Sequence, residues 1–247
     1  MLHRNSRASG SKGGDVYALF RDDGHGLAGF APPGSSMPLR TAPPHWAAAA
    51  RLLDCFGAAM ALLAFLPLFV LIALLVMVTS RGPIFFGQQR IGHGGRMFTC
   101  YKFRSMVVDA EQRLQDLLAS DAEAQREWLR DHKLKIDPRI TAIGGFLRRS
   151  SLDELPQLFN VLRGDMSLVG PRPIVMGETP RYGRYLHEYA SVKPGLTGLW
   201  QVSGRSNTSY RRRVAMDVAY ARAKSLRLDV RILLATVPAV IGARGSY

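Results

Sequence analysis

The longest apolar stretch of the chain runs from Cys55 to Ser80, CFGAAMALLAFLPLFVLIALLVMVTS, without one charged residue. At 1.5 Å per residue, about 26 helical residues are enough to cross a bilayer. Pro67 stands at the middle, where it removes a backbone donor and clashes with the carbonyl four residues earlier. The pattern therefore predicts a helix, a break and a second helix. Basic residues flank both sides: Arg40 and Arg51 before it, Arg81, Arg90, Arg96, Lys102 and Arg104 after it. By the positive-inside rule both flanks face the cytoplasm, which a segment that enters one leaflet, bends at Pro67 and returns would satisfy. A single kinked span is the alternative that the proline alone admits. A buried core helix fits less well, being usually shorter and rarely apolar all round.

Downstream, IFFGQQRIGHGGRMFTCYKFRSM alternates around a Gly-rich turn and reads as short strands, with His93 a turn residue. Lys102 and Arg104 leave it as basic residues among aromatics, suited to a membrane surface or to a substrate. Val107 to Leu134 shows helical apolar spacing and about seven of the acidic residues, which predicts a solvated amphipathic helix or helix pair. Asp137 to Thr141 turns the chain into a short helix ending at Arg149. Gly164 to Pro173, GDMSLVGPRP, reads as a loop in which two prolines restrict Arg172. Gly177 to Ala190 predicts a helix with Tyr182, Tyr185, Leu186 and Tyr189 on a packing stripe. From Lys193 a Gly-rich irregular segment carries Trp200, Gln201 and Arg205, the kind of loop that often holds ligands. Arg211, Arg212 and Arg213 then open another helix. Asp229 to Gly242 is too short, and too interrupted by Pro238, to span a bilayer, so it packs on the domain or lies at the interface. Residues 1–46, rich in Gly, Ser, Pro and Arg, read as a mobile tail and not as a signal peptide.

The 247 residues carry 33 Lys and Arg against 19 Asp and Glu, a formal net charge of +14 that calls for anionic partners. Nucleic acid, acidic lipid and phosphorylated small molecules all qualify on charge alone. No helix-turn-helix, zinc or RNP pattern supports nucleic acid, and such a binder would leave the apolar run unexplained. Two cysteines, Cys55 and Cys100, give neither a disulfide framework nor zinc spacing.

The stretch around which the chain is organised is Leu147 to Pro173, LRRSSLDELPQLFNVLRGDMSLVGPRP. Ser151 and Glu154 have the spacing of a capping box, which would place Asp153 and Glu154 in the first turn of a helix and favour their ionised forms. Pro156 disturbs that register, so the regular helix could instead begin at Pro156. An ionised carboxylate can attack phosphorus, and a second one can bind a divalent cation or move a proton. Arg172, pre-ordered between prolines, suits a two-pronged grip on phosphate. The plainer explanations are a surface capping box and a structural turn.

With SRGPIFFGQQRIG, YKFRSM, DPRITAIGGFLRRSSLDELPQLFNVLRGDMSLVGPRP and KPGLTGLWQVSGR together, the chain resembles the bacterial sugar transferase family, the monotopic phosphoglycosyl transferases, from about Arg51 to its end. The resemblance implies a mixed α/β but mainly helical membrane protein. Its parts would be a disordered tail (1–46), a re-entrant helix pair (47–81) broken at Pro67, and a cytoplasmic catalytic domain (82–247) with a small β-hairpin and interfacial amphipathic helices. It implies transfer of a hexose 1-phosphate, galactose before glucose, from a UDP-sugar to undecaprenyl phosphate at the cytoplasmic face of the bacterial inner membrane, starting exopolysaccharide synthesis. Carried over by motif, Asp153 is the nucleophile and Glu154 its partner, both binding Mg²⁺. Arg148, Arg172, Arg205 and Lys102 bind phosphates. Membrane lipids are the expected surroundings, nucleic acid is not a partner, and a homodimer is among the open assemblies. Two features depart from relatives: Leu66 stands where many have Ser before the proline, and Val107 to Lys135 is long. A non-enzymatic basic membrane adaptor is the competing reading.

Overall fold

The computed structural model describes residues 44–131, 134, 136–203 and 208–241. Nearly all of the expected tail, together with Arg205, lies outside them. The apolar stretch forms two helices, α1 (Pro44–Ala64) and α2 (Leu66–Thr79), separated at Phe65, whose ψ is 6°. Pro67 falls in the first turn of α2, where a backbone N–H would lack an intrahelical partner in any case. By length and composition α1 could cross a membrane; α2 is shorter.

Both helices are fastened to the same body. The Arg51 guanidinium donates to the Val161 and Leu162 carbonyls at 2.6 and 2.7 Å, and Asp54 accepts from Ser167 Oγ and the Leu168 N–H at 2.9 and 2.8 Å. On α2, Ile72 and Val76 are buried with Phe103 and Leu147, and Arg104 donates to the Ser80 carbonyl just beyond its end. The opposite flank leaves Leu52, Phe56, Leu63, Leu71, Leu74 and Val78 exposed. That apolar face exceeds what a soluble domain usually shows to water.

The expected hairpin is present: β1 (Phe85–Ile91) and β2 (Met97–Phe103) pair antiparallel from Phe85 opposite Phe103 to Ile91 opposite Met97. The acidic stretch forms α3 (Ala110–Ser120) and α4 (Ala122–Asp131), with Asp121 accepting from the Glu123 and Ala124 N–H groups. Helix α5 (Ala142–Ser150) starts on Thr141, whose hydroxyl accepts from the Gly144 N–H. A short 3₁₀ turn at Leu152–Glu154 leads into α6 (Gln157–Arg163), which ends on Gly164 at φ 92°, a conformation that favours glycine. The segment read as a loop contains β3 (Ser167–Val169), paired in parallel with β4 (Gly195–Thr197). The one helix expected over Gly177 to Ala190 is divided into α7 (Thr179–Tyr182) and α8 (Leu186–Ala190), because Gly183 takes a φ of 50° between them. Then come α9 (Leu199–Ser203), α10 (Tyr210–Ala223) and α11 (Leu226–Ile241), the last with Pro238 inside it.

The architecture is mainly helical with a small antiparallel hairpin. Its main core joins Ala58 of α1 to Cys100, Leu158, Val161, Met166 and Ile232, so the first apolar helix is part of the folding unit. A second cluster sets Ile91 and Ile174 against Tyr182, Tyr189, Val214 and Val218, which makes the tyrosine stripe core, as its spacing suggested.

Candidate functional site

The acid pair is not held by a capping box. Ser151 has a φ of 58° and closes α5, its N–H directed to the Arg148 carbonyl, and its side chain caps nothing. The same residues could end one helix or begin the next, and the C-terminal role prevails. Asp153 and Glu154 instead occupy the 3₁₀ turn between α5 and α6, and the regular helix starts only after Pro156.

Glu154 is fixed by two cations. Its Oε1 accepts from Lys102 Nζ at 2.7 Å and from Arg172 Nη2 at 3.0 Å. Lys102 comes from β2, and Arg172 from the Pro-bounded turn that follows β3. Burial alone would raise the Glu154 carboxyl, but the charges of Arg172 and Lys102 overcome it and hold the group down at about 2. Asp153 is also buried, 7% exposed, with Oδ2 3.8 Å from Lys102 Nζ. Here desolvation wins: its carboxyl is raised, against the opposing charges of Lys102, Arg148 and Arg172. The expectation that a helix end keeps both acids ionised thus gives way to an asymmetric pair.

Of the residues singled out in the sequence, Lys102, Asp153, Glu154 and Arg172 are brought together. Arg148, in the last turn of α5, acts on Asp153 through its charge. Beside Glu154 a cleft is lined by Arg90, Lys102, Gln157, Arg172 and Gln201, among others. Arg90 read only as flanking charge, and Gln157 gave no signal in the sequence. Asp153 and Glu154 provide two carboxylates, and no group of three or more metal-ligating side chains occurs among the described residues. That donor set fits a cation completed by substrate phosphates and water, as Mg²⁺ commonly is.

A desolvated carboxylate beside one held in its ionised form, ringed by lysine and arginine, is an arrangement suited to a phosphate-bearing substrate. The chain belongs to the bacterial sugar transferase family, whose model its residues 45–243 match. It is 54% identical over 166 residues to the undecaprenyl-phosphate galactose phosphotransferase of Salmonella typhimurium, covering 67% of this chain and 35% of that one. It is 47% identical over 199 residues to the exopolysaccharide production protein ExoY of Rhizobium meliloti, covering 81% and 88%. A UDP-galactose-lipid carrier transferase of Erwinia amylovora is 48% identical over 197 residues, covering 80% and 41%. The chain thus matches about a third of the Salmonella protein but most of ExoY, and the resemblance read from its motifs holds.

Proposed function

We propose that the chain transfers a hexose 1-phosphate, galactose first, from a UDP-sugar to undecaprenyl phosphate and releases UMP, as an initiating step of exopolysaccharide synthesis. The Salmonella and Erwinia relatives carry galactose in their names, and ExoY exopolysaccharide production. The observation that carries the reading is Glu154 clamped in its ionised form by Lys102 and Arg172, directly beside the desolvated Asp153.

An Asp153 oxygen attacks the sugar-bearing phosphorus, and the bond to UMP breaks with its electron pair on the departing phosphate. Undecaprenyl phosphate then attacks the same phosphorus, restoring the carboxylate and leaving a lipid diphosphosugar. Desolvation sharpens Asp153 as a nucleophile, while Lys102, Arg148 and Arg172 offset the repulsion between anions and the charge gathering on UMP. Arg205 would add to them. Asp153 and Glu154 would hold Mg²⁺ together with the donor diphosphate, and the ion supplies charge neutralisation there.

We infer a re-entrant, monotopic arrangement at the cytoplasmic face of the inner membrane. Arg51 on α1 and Ser80 beyond α2 bond to the same body, while the outer faces of both helices stay apolar and exposed. A covalent intermediate lets one site meet a soluble donor and then a lipid acceptor.

Assay of UMP release against UDP-galactose and UDP-glucose, in detergent with Mg²⁺, tests the activity. Mass spectrometry of donor-treated protein should find a hexose-phosphate adduct on Asp153. Vesicle binding without UMP release from any UDP-sugar would leave the adaptor reading standing instead.

A further inference from the structure

One polar side chain is buried where its neighbours are apolar. Asn160, on α6, is wholly enclosed, and Leu158 and Val161 beside it share the main core cluster with Cys100 of β2. Its carboxamide meets the main chain of β2 on both sides of that cysteine: Nδ2 donates to the Thr99 carbonyl at 2.7 Å, and Oδ1 accepts from the Tyr101 N–H at 3.0 Å. A parallel strand's peptide group would present the same pair of bonds, so one side chain stands in for a third strand beside the two-stranded hairpin. Nδ2 also reaches Asp165 Oδ2 at 3.3 Å, and a flipped amide would set like groups together at all three contacts.

Apolar packing holds β2 to α6 but tolerates small slides, whereas two directional hydrogen bonds fix the strand along its own axis. The residue after Tyr101 shows what that fixing achieves. Lys102 Nζ stands 2.7 Å from Glu154 Oε1 and 3.8 Å from Asp153 Oδ2, and both acids lie in the turn that leads into α6. Asn160 thus ties the strand that carries the amine to the helix that follows the carboxylates. A lysine stem is flexible, so the amine keeps to both acids only while its strand is held at one level. Arg172, the other cation on Glu154, is carried by a separate turn after β3.

We propose that Asn160 is a positioning residue: its carboxamide sets the level of β2 so that the Lys102 amine serves Glu154 and Asp153 together. The placement stands on this geometry, and its use in turnover rests on the phosphosugar-transfer reading above.

Paired substitutions in the full chain in nanodiscs test this. Asn160→Gln keeps an amide but lengthens its arm by one methylene, which displaces the strand. Read without turnover, Lys102→Met should lower the urea midpoint of wild type, and should lower that of Asn160→Gln by at most about half as much, because the ion pair is already loosened. In UMP release, Asn160→Gln alone should cost roughly tenfold in kcat/KM, and the double variant should stay within about threefold of Lys102→Met alone. A side chain that only holds the fold would add its full loss to that of Lys102→Met in both measurements, and that result overturns the proposal. So does Asn160→Gln with wild-type turnover. If Asn160→Gln does not fold, Asn160→Asp, equal in size but with an oxygen set against the Thr99 carbonyl, goes through the same two cycles with the same expectation. Wild type that released no UMP from any UDP-sugar would sink the transfer reading, while the urea cycle would still decide the placement.

Discussion

The molecule buries carboxylates in two settings that differ only in their partners. In the cleft, Glu154 meets Lys102 and Arg172 and is held down at about 2. In the helical half, Asp217 accepts from the Tyr182 hydroxyl at 2.7 Å, and Asp229 from the Tyr220 hydroxyl at 2.7 Å. Burial pushes those two acids up to about 7 and about 6, with the tyrosine bonds only partly opposing it. Neutral partners meet one oxygen of each acid without restoring the charge, so these pairs tie α10 to α7 and to α11. Cationic partners preserve a charge at the expense of desolvation, which the fold has no need to do for cohesion alone. The contrast separates a site arranged for an anionic substrate from pairs that cement helices.

The sharpest break of this comparison is Asp153→Asn. It should lower UMP release by at least about a thousandfold while vesicle flotation shows binding intact; retained turnover would remove Asp153 as nucleophile. Arg172→Lys keeps the charge but not the fork, and should cost roughly ten- to a hundredfold in kcat/KM, read in the same assay. Stability should respond oppositely in the two regions. Glu154 has a lowered carboxyl, so its contribution is present above about 4.5 and lost as pH falls through about 2. Asp217 has a raised one, so its contribution is complete below about 3.8 and lost as pH rises through about 7. Unfolding free energies from denaturant titration should therefore decline between pH 4 and 8 by an amount on the order of 2–4 kcal/mol, and Asp217→Asn should flatten that decline. A slope unchanged by this substitution would place the titration elsewhere. Smallest, Tyr220→Phe should cost about 1–2 kcal/mol in urea unfolding with turnover nearly unaltered, since its hydroxyl meets Asp229 and the Val169 carbonyl and no cleft residue.

What the sequence disclosed follows the range of the interactions. The hairpin, the helix opened by Arg211 to Arg213 and the break at Pro67 arise from local alternation, helical propensity and proline sterics, all visible within a short window. The acids stand out in the sequence as a pair, but their setting does not. Glu154 takes its cations from 52 and 18 residues away, and no local pattern carries that information. The Ser151 capping box misled because one serine can end a helix or begin one, and only the packed chain selects. The pairing of β3 with β4 was hidden for the same reason: three residues with a distant partner leave no periodicity to read. Arg90 and Gln157 were overlooked because shared cleft walls exist only in three dimensions.

Arg51 and Asp54 reach from α1 to the end of α6 and to β3, the strand that runs into Gly170, Pro171 and Arg172. The first apolar helix is thus joined, through two neighbouring elements, to the turn whose guanidinium is clamped on Glu154. Whatever shifts that helix against β3 would re-aim Arg172 without touching the acid pair itself.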